Sequence, residues 1–539
     1  LHDIGKLYQR AATGRMPTKT FERASDVLPS SREGRYTHWH ALWTDAFFDW
    51  VEDQKFNWPE GVDPRNVRDL AVYHHKPLQA YPEAPERALT WIVTTADRLA
   101  SGFERRPKDI DAEPDETGRN AFRRIPLGAL MPGLSLGSGG KTNSGVQVAK
   151  KLNAETIMPL PKGGLTGNQV AAGYGDLWTD FKTGWSDLAS RAQGDAGAFE
   201  EGLLSLLEQT TWSVPSSTMD EPDVPLFDHS RAVAAFAAAL HAHHEHFGDL
   251  TDENAIRDAT RPRMRFLVGD LSGLQKTLFR LSSESVKGLN KILRGRSFRF
   301  QMMTDAAVRR ALKAFKMPMS AALQTAGGRF VLLLPELGED EMRSTVDQLR
   351  IDFDDWLALN YCGDLGMGLS LSEPFAAQDL MRRPDEANAQ SAVKRANTVR
   401  DKMRLAIEEA KLKQLQGPVV EAVVPYSYQD GVCPACGLRP AIVGNPLRCN
   451  ACDAEFLMGQ RLPSASYISI RPESKDKASA SDRIFGLDYR MPHGEWDTAS
   501  SFLTGWRIGT ARNGPAAQRL GHAYVPHVLP ADLESIKLS

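Results

Sequence analysis

His2 and Asp3 stand side by side in LHDIGKLYQRA and offer an imidazole nitrogen and a carboxylate oxygen to one metal ion. The next hundred residues hold more donors of the same kinds: His40 in THWHALWTDAFF, the pair His74 and His75 in VYHHKP, and Asp97 in TTADRLASGFERR. Imidazole and carboxylate together suit Mn, Fe, Ni, Co or Zn better than Mg, which prefers oxygen alone. One or two such ions would lower the pKa of a water and clamp a phosphodiester oxygen, giving hydrolysis without a protein nucleophile. Lys6, one turn beyond His2, could neutralise a phosphate. Taken singly, each histidine reads as a surface or capping residue and Asp97 as a cap or ion-pair partner. The set reads as a metal centre.

A second donor pattern is more specific. CPACGLRPAIVGNPLRCNACDAEF places Cys433 and Cys436, then twelve intervening residues, then Cys449 and Cys452. Each pair can form a knuckle, and four thiolates fill a tetrahedral zinc with no open position, so the expected role is structural. A redox or disulfide pair is the rival reading. The fifth cysteine, Cys362, is expected to be a buried thiol.

Around Arg265 the pattern changes from helical to mixed. RFLVGD reads as a strand, followed by a long helical stretch. SAALQTA and RFVLLLP then flank Gly327-Gly328, and a helix through EDEMRSTVDQLRIDFDDWLALNY leads to the strand GMGLSLSEPF. That is βαββαβ, the ferredoxin-like unit that also builds polymerase palms. Nucleotidyl-transferring palms hold two metals with carboxylates at the end of the first strand and in the following hairpin. Here Asp270 is at the first place, but Ala326-Gly327-Gly328-Arg329-Phe330 has no acid. The unit should not hold two catalytic metals by itself. It could still bind a nucleotide, with Gly327 and Gly328 allowing close backbone approach and Arg329 meeting a phosphate. Ser272 and Gly273 could present a hydroxyl and an N–H; otherwise they make a simple strand-to-helix turn with Ser272 as N-cap. Arg280, Lys287, Lys291, Arg294, Arg296 and Arg299 form the clearest basic stretch. They are either a solvated helical face or a contact for nucleotide or RNA phosphates, Lys291, Arg294 and Arg296 above all. LGSGGKT is similar to a P-loop but has Ser135 where the first glycine belongs, and it is rejected.

The supporting elements follow from composition and periodicity. At 539 residues, 42% hydrophobic and 25% charged, the chain is an ordinary globular sequence too long for one core. Its formal net charge of −3 gives no global argument for nucleic acid. Five cysteines exclude a disulfide scaffold, and the absence of any long apolar run excludes a membrane span, so the cytoplasm is the expected location. Leu1, Ile4, Leu7, Tyr8 and Ala11 sit at helical spacing, as do Ile92, Ala96, Leu99, Ala100 and Phe103. Pro and Gly clusters between about 106 and 175 read as loops, and helical pattern returns in LWTDFKTGWSDLASRA and AVAAFAAALHAHHEHF.

LHDIGKLYQRA, HALWTDAFF, HHKP and ADRLASGFERR, in that order, resemble the permuted HD nuclease domain of the large subunit of type III CRISPR–Cas effector complexes, the Csm type. TTWSVPSSTMDEPDVPLFDHSRAVAAFAAAL, GDLSGLQKTLFRL with KILRGRSFRFQ, and the zinc module extend the resemblance over nearly the whole chain. It implies a multidomain α+β protein: a helical HD domain over 1–105, a loop-rich and helical connecting region over 106–260, and a degenerate ferredoxin-like palm over 261–375. A helical linker over 376–430, the zinc ribbon over 431–462 and a lead-in to a second palm over 463–539 complete it. It also implies hydrolysis of single-stranded DNA by Mn, Ni or Co bound at the HD site, to which His2 and Asp3 carry over, followed by His40, His74, His75 and Asp97. In the intact protein a second palm with a Gly-Gly-Asp-Asp hairpin would join ATP, with Mg, into cyclic oligoadenylate. That tetrapeptide is absent, and GHAYVPHVLP looks like the run before it, so the reading expects both a short upstream segment and the second palm to lie outside this chain. Guide RNA, target RNA, the small subunit and backbone subunits are the implied partners, with no membrane. Two alternatives stand beside this: a non-catalytic RNA-binding scaffold with an inert HD site, and hydrolysis of nucleotides or small phosphoesters.

Overall fold

Helical spacing of apolar residues over the first hundred positions produces a bundle around the helix Trp39–Asp53, which is buried on all sides from Ala41 to Phe48. The computed structural model describes residues 1–31, 34–79, 85–104, 121–133, 145–153, 155–192, 196–218, 222–280, 288–381, 389–413, 427–444, 447–465, 467–472, 481–491, 504–508 and 522–523. They form two compact units. The first is Leu1–Arg265 with Pro335–Leu337 and Pro374–Asp401; the second is Phe266–Leu334 with Gly338–Glu373 and Lys402–Ser539.

The first unit is helical. It contains α1 (Ile4–Ala11), α2 (Trp39–Asp53), α3 (Pro64–Val72), α4 (Pro85–Glu104), α5 (Gly167–Ala192), α6 (Ala196–Thr211) and α7 (Leu226–Phe247). It does not end near residue 105, as the sequence reading expects. α5 packs on α1 and α7 on α4, with Tyr8 of α1 stacked on Trp178 of α5 at 4.2 Å and Phe47 of α2 edge-on to Trp185 at 5.0 Å. Phe47, Phe181 and Trp185 are all buried, each contributing about 2–3 kcal/mol. The residues read as a connecting region therefore complete the core of the first helices.

The second unit takes up the chain at Phe266 within β1 (Pro262–Ser272), which leads through a short helix, Leu274–Leu278, to α8 (Leu289–Ala314). β2 (Ala322–Ala326), β3 (Arg329–Pro335), α9 (Glu339–Tyr361) and β4 (Gly366–Leu371) follow. The strands are ordered β2-β3-β1-β4, with β1 and β4 antiparallel and Asp270 opposite Gly368. β2 and β3 form a hairpin in which Ala326 pairs with Arg329. The intervening Gly327 and Gly328 both have positive φ, 62° and 85°, as a two-residue type I′ turn demands. The charged stretch after residue 376 forms the helix Ala389–Leu412. α10 (Asn450–Arg461) starts within the second cysteine pair, after Cys449 and including Cys452, and packs on α8. A Cβ at Gly295 would stand 1.7 Å from the Glu455 carbonyl oxygen, and one at Gly459 1.8 Å from that of Lys291, so glycine on both helices permits this close crossing. A second sheet combines Tyr467–Pro472, Ser481–Ile484, Leu487–Arg490, Thr504–Ile508 and His522–Ala523.

Cys362, expected to be buried, is half-exposed because it caps α9 in the left-handed conformation at φ 53°. Lys287, the P-loop-like LGSGGKT and most of GHAYVPHVLP lie outside the described residues. Among the described residues, no helix is long and apolar enough to cross a membrane.

Candidate metal centre

Asp3 is the N-cap residue of α1, a position where a carboxylate usually accepts from the helix's own first N–H groups. Its side chain makes no cap hydrogen bond. It turns inward instead and is 1% exposed. Gly5 lets this happen: a Cβ there would stand 2.0 Å from the His40 carbonyl oxygen and 2.4 Å from the Thr44 nitrogen. Thr44 joins the two helices, accepting from Gly5 N at 3.1 Å and donating to the His2 carbonyl at 3.0 Å.

The remaining donors come from four elements. His40 is in the first turn of α2. His74 and His75 follow α3, whose start is set by Asp63 accepting from Arg65 N with Pro64 at the first helical position. Thr94, one turn before Asp97 on α4, donates to the His74 carbonyl at 2.7 Å. His229, in the first turn of α7, is a member the sequence reading missed; the Asp228-His229-Ser230-Arg231 box held its only signal.

Asp3 Oδ1 lies 3.2 Å from His40 Nε2 and 3.8 Å from His74 Nε2. Asp3 Oδ2 lies 3.1 Å from His229 Nε2 and 3.5 Å from His2 Nε2. His229 Nε2 is also 3.2 Å from Asp97 Oδ1, and His40 Nε2 is 2.9 Å from His75 Nε2. Two donor sets result, Asp3-His40-His74-His75 and His2-Asp3-Asp97-His229, each with donor atoms within 4.8 Å of one another. Asp3 belongs to both.

These residues fit divalent ions. Ligands about 2.0–2.2 Å from a shared ion lie about 3.0–3.5 Å from each other, close to the separations found. Asp3 Oδ1 and His74 Nε2 are buried without a hydrogen-bond partner, and a cation would satisfy both. His74 Nδ1 donates to the Ala71 carbonyl at 2.6 Å, which fixes the tautomer and leaves the Nε2 lone pair facing the cluster.

The protonation states agree. Burial alone would raise both carboxyls, but at Asp3 the charges of Lys6, His2 and His40 outweigh it, and at Asp97 hydrogen bonds from His2 and His229 do so. Both sit well below the usual carboxylate range. Burial pushes His74 down to about 3 and lowers His40 and His75. At neutral pH the cluster therefore offers two carboxylates and at least three neutral imidazoles, the forms that bind metal. Lys6, expected to meet a phosphate, has its Nζ 2.6 Å from Asp3 Oδ2, where it balances the shared carboxylate.

In the second unit, Cys433, Cys436, Cys449 and Cys452 are buried and converge. The Cys436 and Cys449 sulfurs are 3.9 Å apart, against about 3.8 Å for two thiolates on a tetrahedral zinc with bonds of about 2.3 Å. Cys449 caps α10 and its sulfur accepts from Cys452 N, so the helix dipole favours thiolate. Arg296 and Arg439 each place a guanidinium nitrogen 3.6 Å from Cys452 Sγ. The donor set fits a structural zinc.

Arg296 is thus not a solvent-facing phosphate contact. It is 0% exposed and paired with Glu455 at 2.7 Å, because position 296 falls on the inward face of α8. Arg299 is likewise buried and paired with Asp482. Arg294 donates to the Gly459 carbonyl, Lys291 stands over the Phe456 ring, and Arg280 pairs with Asp364. At the proposed nucleotide loop, Asp270 pairs with Arg329 at 2.9 Å. Ser272 is not an N-cap; it ends β1 and donates to the Gly366 carbonyl. Gly273 holds that helix-cap place, and a Cβ there would stand 2.0 Å from the Asp364 carbonyl oxygen.

A family model described as Csm1 subunit domain B matches residues 263–418. A Cas10/Csm1 single-strand-specific deoxyribonuclease of subtype III-A from Mycobacterium tuberculosis is 28% identical over 413 residues, covering 73% of this chain and 46% of that protein. The protein of the same description from Enterococcus italicus is 24% identical over 426 residues, covering 76% and 52%. The chain spans about half the length of these curated relatives. A crystal structure of a Csm1–Csm4 cassette with pppApA aligns over 98% of this chain and 59% of its own, with TM-score 0.61 and 17% identity. Csm1 of T. onnurineus aligns with TM-score 0.59, 17% identity, over 98% and 57%. At such identities the likeness is one of fold.

Proposed function

We propose, for a chain that is a homologue of the Cas10/Csm1 proteins of CRISPR subtype III-A, that its helical unit is a metal-dependent deoxyribonuclease acting on single strands. The carrying observation is Asp3, whose two oxygens face two separate donor sets. Bound transition-metal ions, Mn, Ni or Co, would supply Lewis acidity and a water of lowered pKa. This chain's residues do the rest. Asp3 and Asp97 remain ionised, and His40, His74 and His75 remain neutral donors at physiological pH. The Ala71 carbonyl and Thr94 hold His74 in one tautomer and place, and Lys6 offsets the charge of the shared carboxylate.

The second unit is the first half of a nucleotide-binding pair of palms, with Asp270 its single acid at the position where catalytic palms hold metal. With a second palm supplied, ATP and Mg would enter there; nucleotide-bound neighbours of this fold support that reading. The four cysteines hold a structural zinc. Guide RNA, target RNA and the other effector subunits, in the cytoplasm, are the partners that the homology suggests.

The test is cleavage of a labelled single-stranded oligodeoxynucleotide with Mn²⁺ by the parent, His2→Ala, Asp3→Asn and His229→Ala, beside a panel of nucleotides. Cleavage of the oligonucleotide that falls at least a hundredfold in all three variants is the expected result. Equal residual cleavage in parent and variants would leave a scaffold, and turnover of nucleotides alone would leave a small-phosphoester hydrolase.

A further inference from the structure

Most large aromatic side chains described in the first unit sit in its core; the rings at Phe21 and Tyr36, like Phe247, do not. Phe21 and Tyr36 are 53% and 39% exposed. Their rings flank the half-buried Trp39: Phe21 lies nearly parallel to it at 6.3 Å and Tyr36 edge-on at 6.2 Å. Two exposed rings grouped about a half-buried third form a contiguous apolar patch of the kind that marks an interaction site.

Its position ties it to the metal centre. Trp39 immediately precedes the donor His40 at the start of α2. Between Tyr36 and Trp39 the chain passes through His38, a non-glycine residue held at φ 57°, a conformation that histidine adopts infrequently. That turn lays the exposed His38 ring 4.1 Å from the ring of His75, another donor. The exposed charges of this stretch are mixed, Arg15, Lys19 and Arg35 beside Glu22 and Asp26, while Lys6 pairs with Asp3 and Arg23 with Asp45 and Asp49. Exposed aromatic faces are a recurrent means of binding unpaired nucleic acid, because every base has a π-face. A duplex keeps its base faces stacked on one another and cannot offer them.

We propose that Phe21, Tyr36 and Trp39 form a stacking platform for the unpaired bases of single-stranded DNA, which delivers the neighbouring phosphodiester to the metal centre. This rests on the nuclease reading and names where its substrate is gripped. The platform gives single-strand preference by stacking, with no sequence readout.

The test uses the full chain with the double variant Phe21→Ala/Tyr36→Ala, which removes exposed rings only. Fluorescence anisotropy of a labelled fifteen-residue oligothymidylate is measured in an Asp3→Asn background with and without these changes, beside a duplex and an oligouridylate of the same length. Hydrolysis of the oligothymidylate and of bis(p-nitrophenyl) phosphate is measured with Asp3 intact. The expected result is at least tenfold weaker binding of the single-stranded DNA, a correspondingly raised KM for its cleavage, and bis(p-nitrophenyl) phosphate hydrolysis within twofold of the parent. Single-strand affinity within twofold of the parent overturns the proposal, as does an equal loss on the duplex or a loss confined to the oligouridylate. If no protein cleaves either substrate yet the single-strand affinity still falls tenfold, the platform stands and the nuclease reading fails.

Discussion

Replacing Gly5 by alanine is expected to disable the metal centre without touching a ligand. The added methyl would stand 2.0 Å from the His40 carbonyl oxygen and 2.4 Å from the Thr44 nitrogen. Both are backbone atoms, so no rotamer change relieves the contact. Restoring an ordinary separation of about 3.4 Å requires α1 to retreat from α2 by more than an ångström. His2 and Asp3 precede α1 directly and move with it, whereas His40 belongs to α2. The 3.2 Å approach of Asp3 Oδ1 to His40 Nε2 would open beyond what one ion can span. Overpacking of this kind costs about 1–3 kcal/mol of stability, and a misplacement of about 1 Å costs about a hundredfold in rate. Gly14→Ala is the matched control, since a methyl there meets nothing within 4 Å. Isothermal titration with Mn²⁺ and urea unfolding read the two effects. If Gly5→Ala binds Mn²⁺ like Gly14→Ala and unfolds at the same urea concentration, the helix approach does not build the site and the reasoning is wrong.

Three further outcomes are expected. His229→Ala should reduce bound Mn²⁺ from two ions to one, leaving the Asp3-His40-His74-His75 set within about tenfold of its affinity, the scale on which neighbouring groups tune a site; mass spectrometry of the native protein counts the ions, and loss of both would deny two separable sets. Removing zinc with a strong chelator should open residues 427–465 to proteolysis, because thiolate–metal bonds replace a core there and are worth about 10 kcal/mol or more in small zinc domains; unchanged proteolysis of zinc-free protein would refute a structural role. Acidification should destabilise the first unit through His243. Burial pushes its pKa down to about 4, with Arg261, His244 and Arg263 acting in the same direction and a hydrogen bond to the Glu336 carbonyl opposing them. Its neutral form is favoured on folding, so its contribution is complete above about pH 6.5 and is lost as pH falls towards 4, at up to about 1.4 kcal/mol per pH unit. Urea midpoints at pH 7.5 and 5.5 check this, and His243→Gln should lessen the difference.

Donor type and local spacing made His2, Asp3, His40, His74, His75, Asp97 and the four cysteines legible as candidates, because a thiolate or an imidazole beside an acid advertises its chemistry. His229 did not stand out, because nothing local distinguishes a histidine at a helix start from one that reaches a site more than two hundred residues back. Periodicity found the strands and the long helices but not the end of the first unit, since Tyr8 against Trp178 and Phe47 against Trp185 are long-range contacts. The basic stretch misled for a related reason. Charge alone does not say which face of α8 a guanidinium occupies, and Glu455 and Asp482, which draw Arg296 and Arg299 inward, come from far along the chain.

The span between His2 and His229 has a consequence during synthesis. A ribosome releases the His2-Asp3 pair long before α7 exists, and α4, which α7 covers, must wait for it. The second donor set cannot close until residue 229 has cleared the exit tunnel and docked. The two donor sets therefore assemble at different times: Asp3, His40, His74 and His75 all lie within the first 75 residues, whereas the set of His2, Asp3, Asp97 and His229 waits for α7.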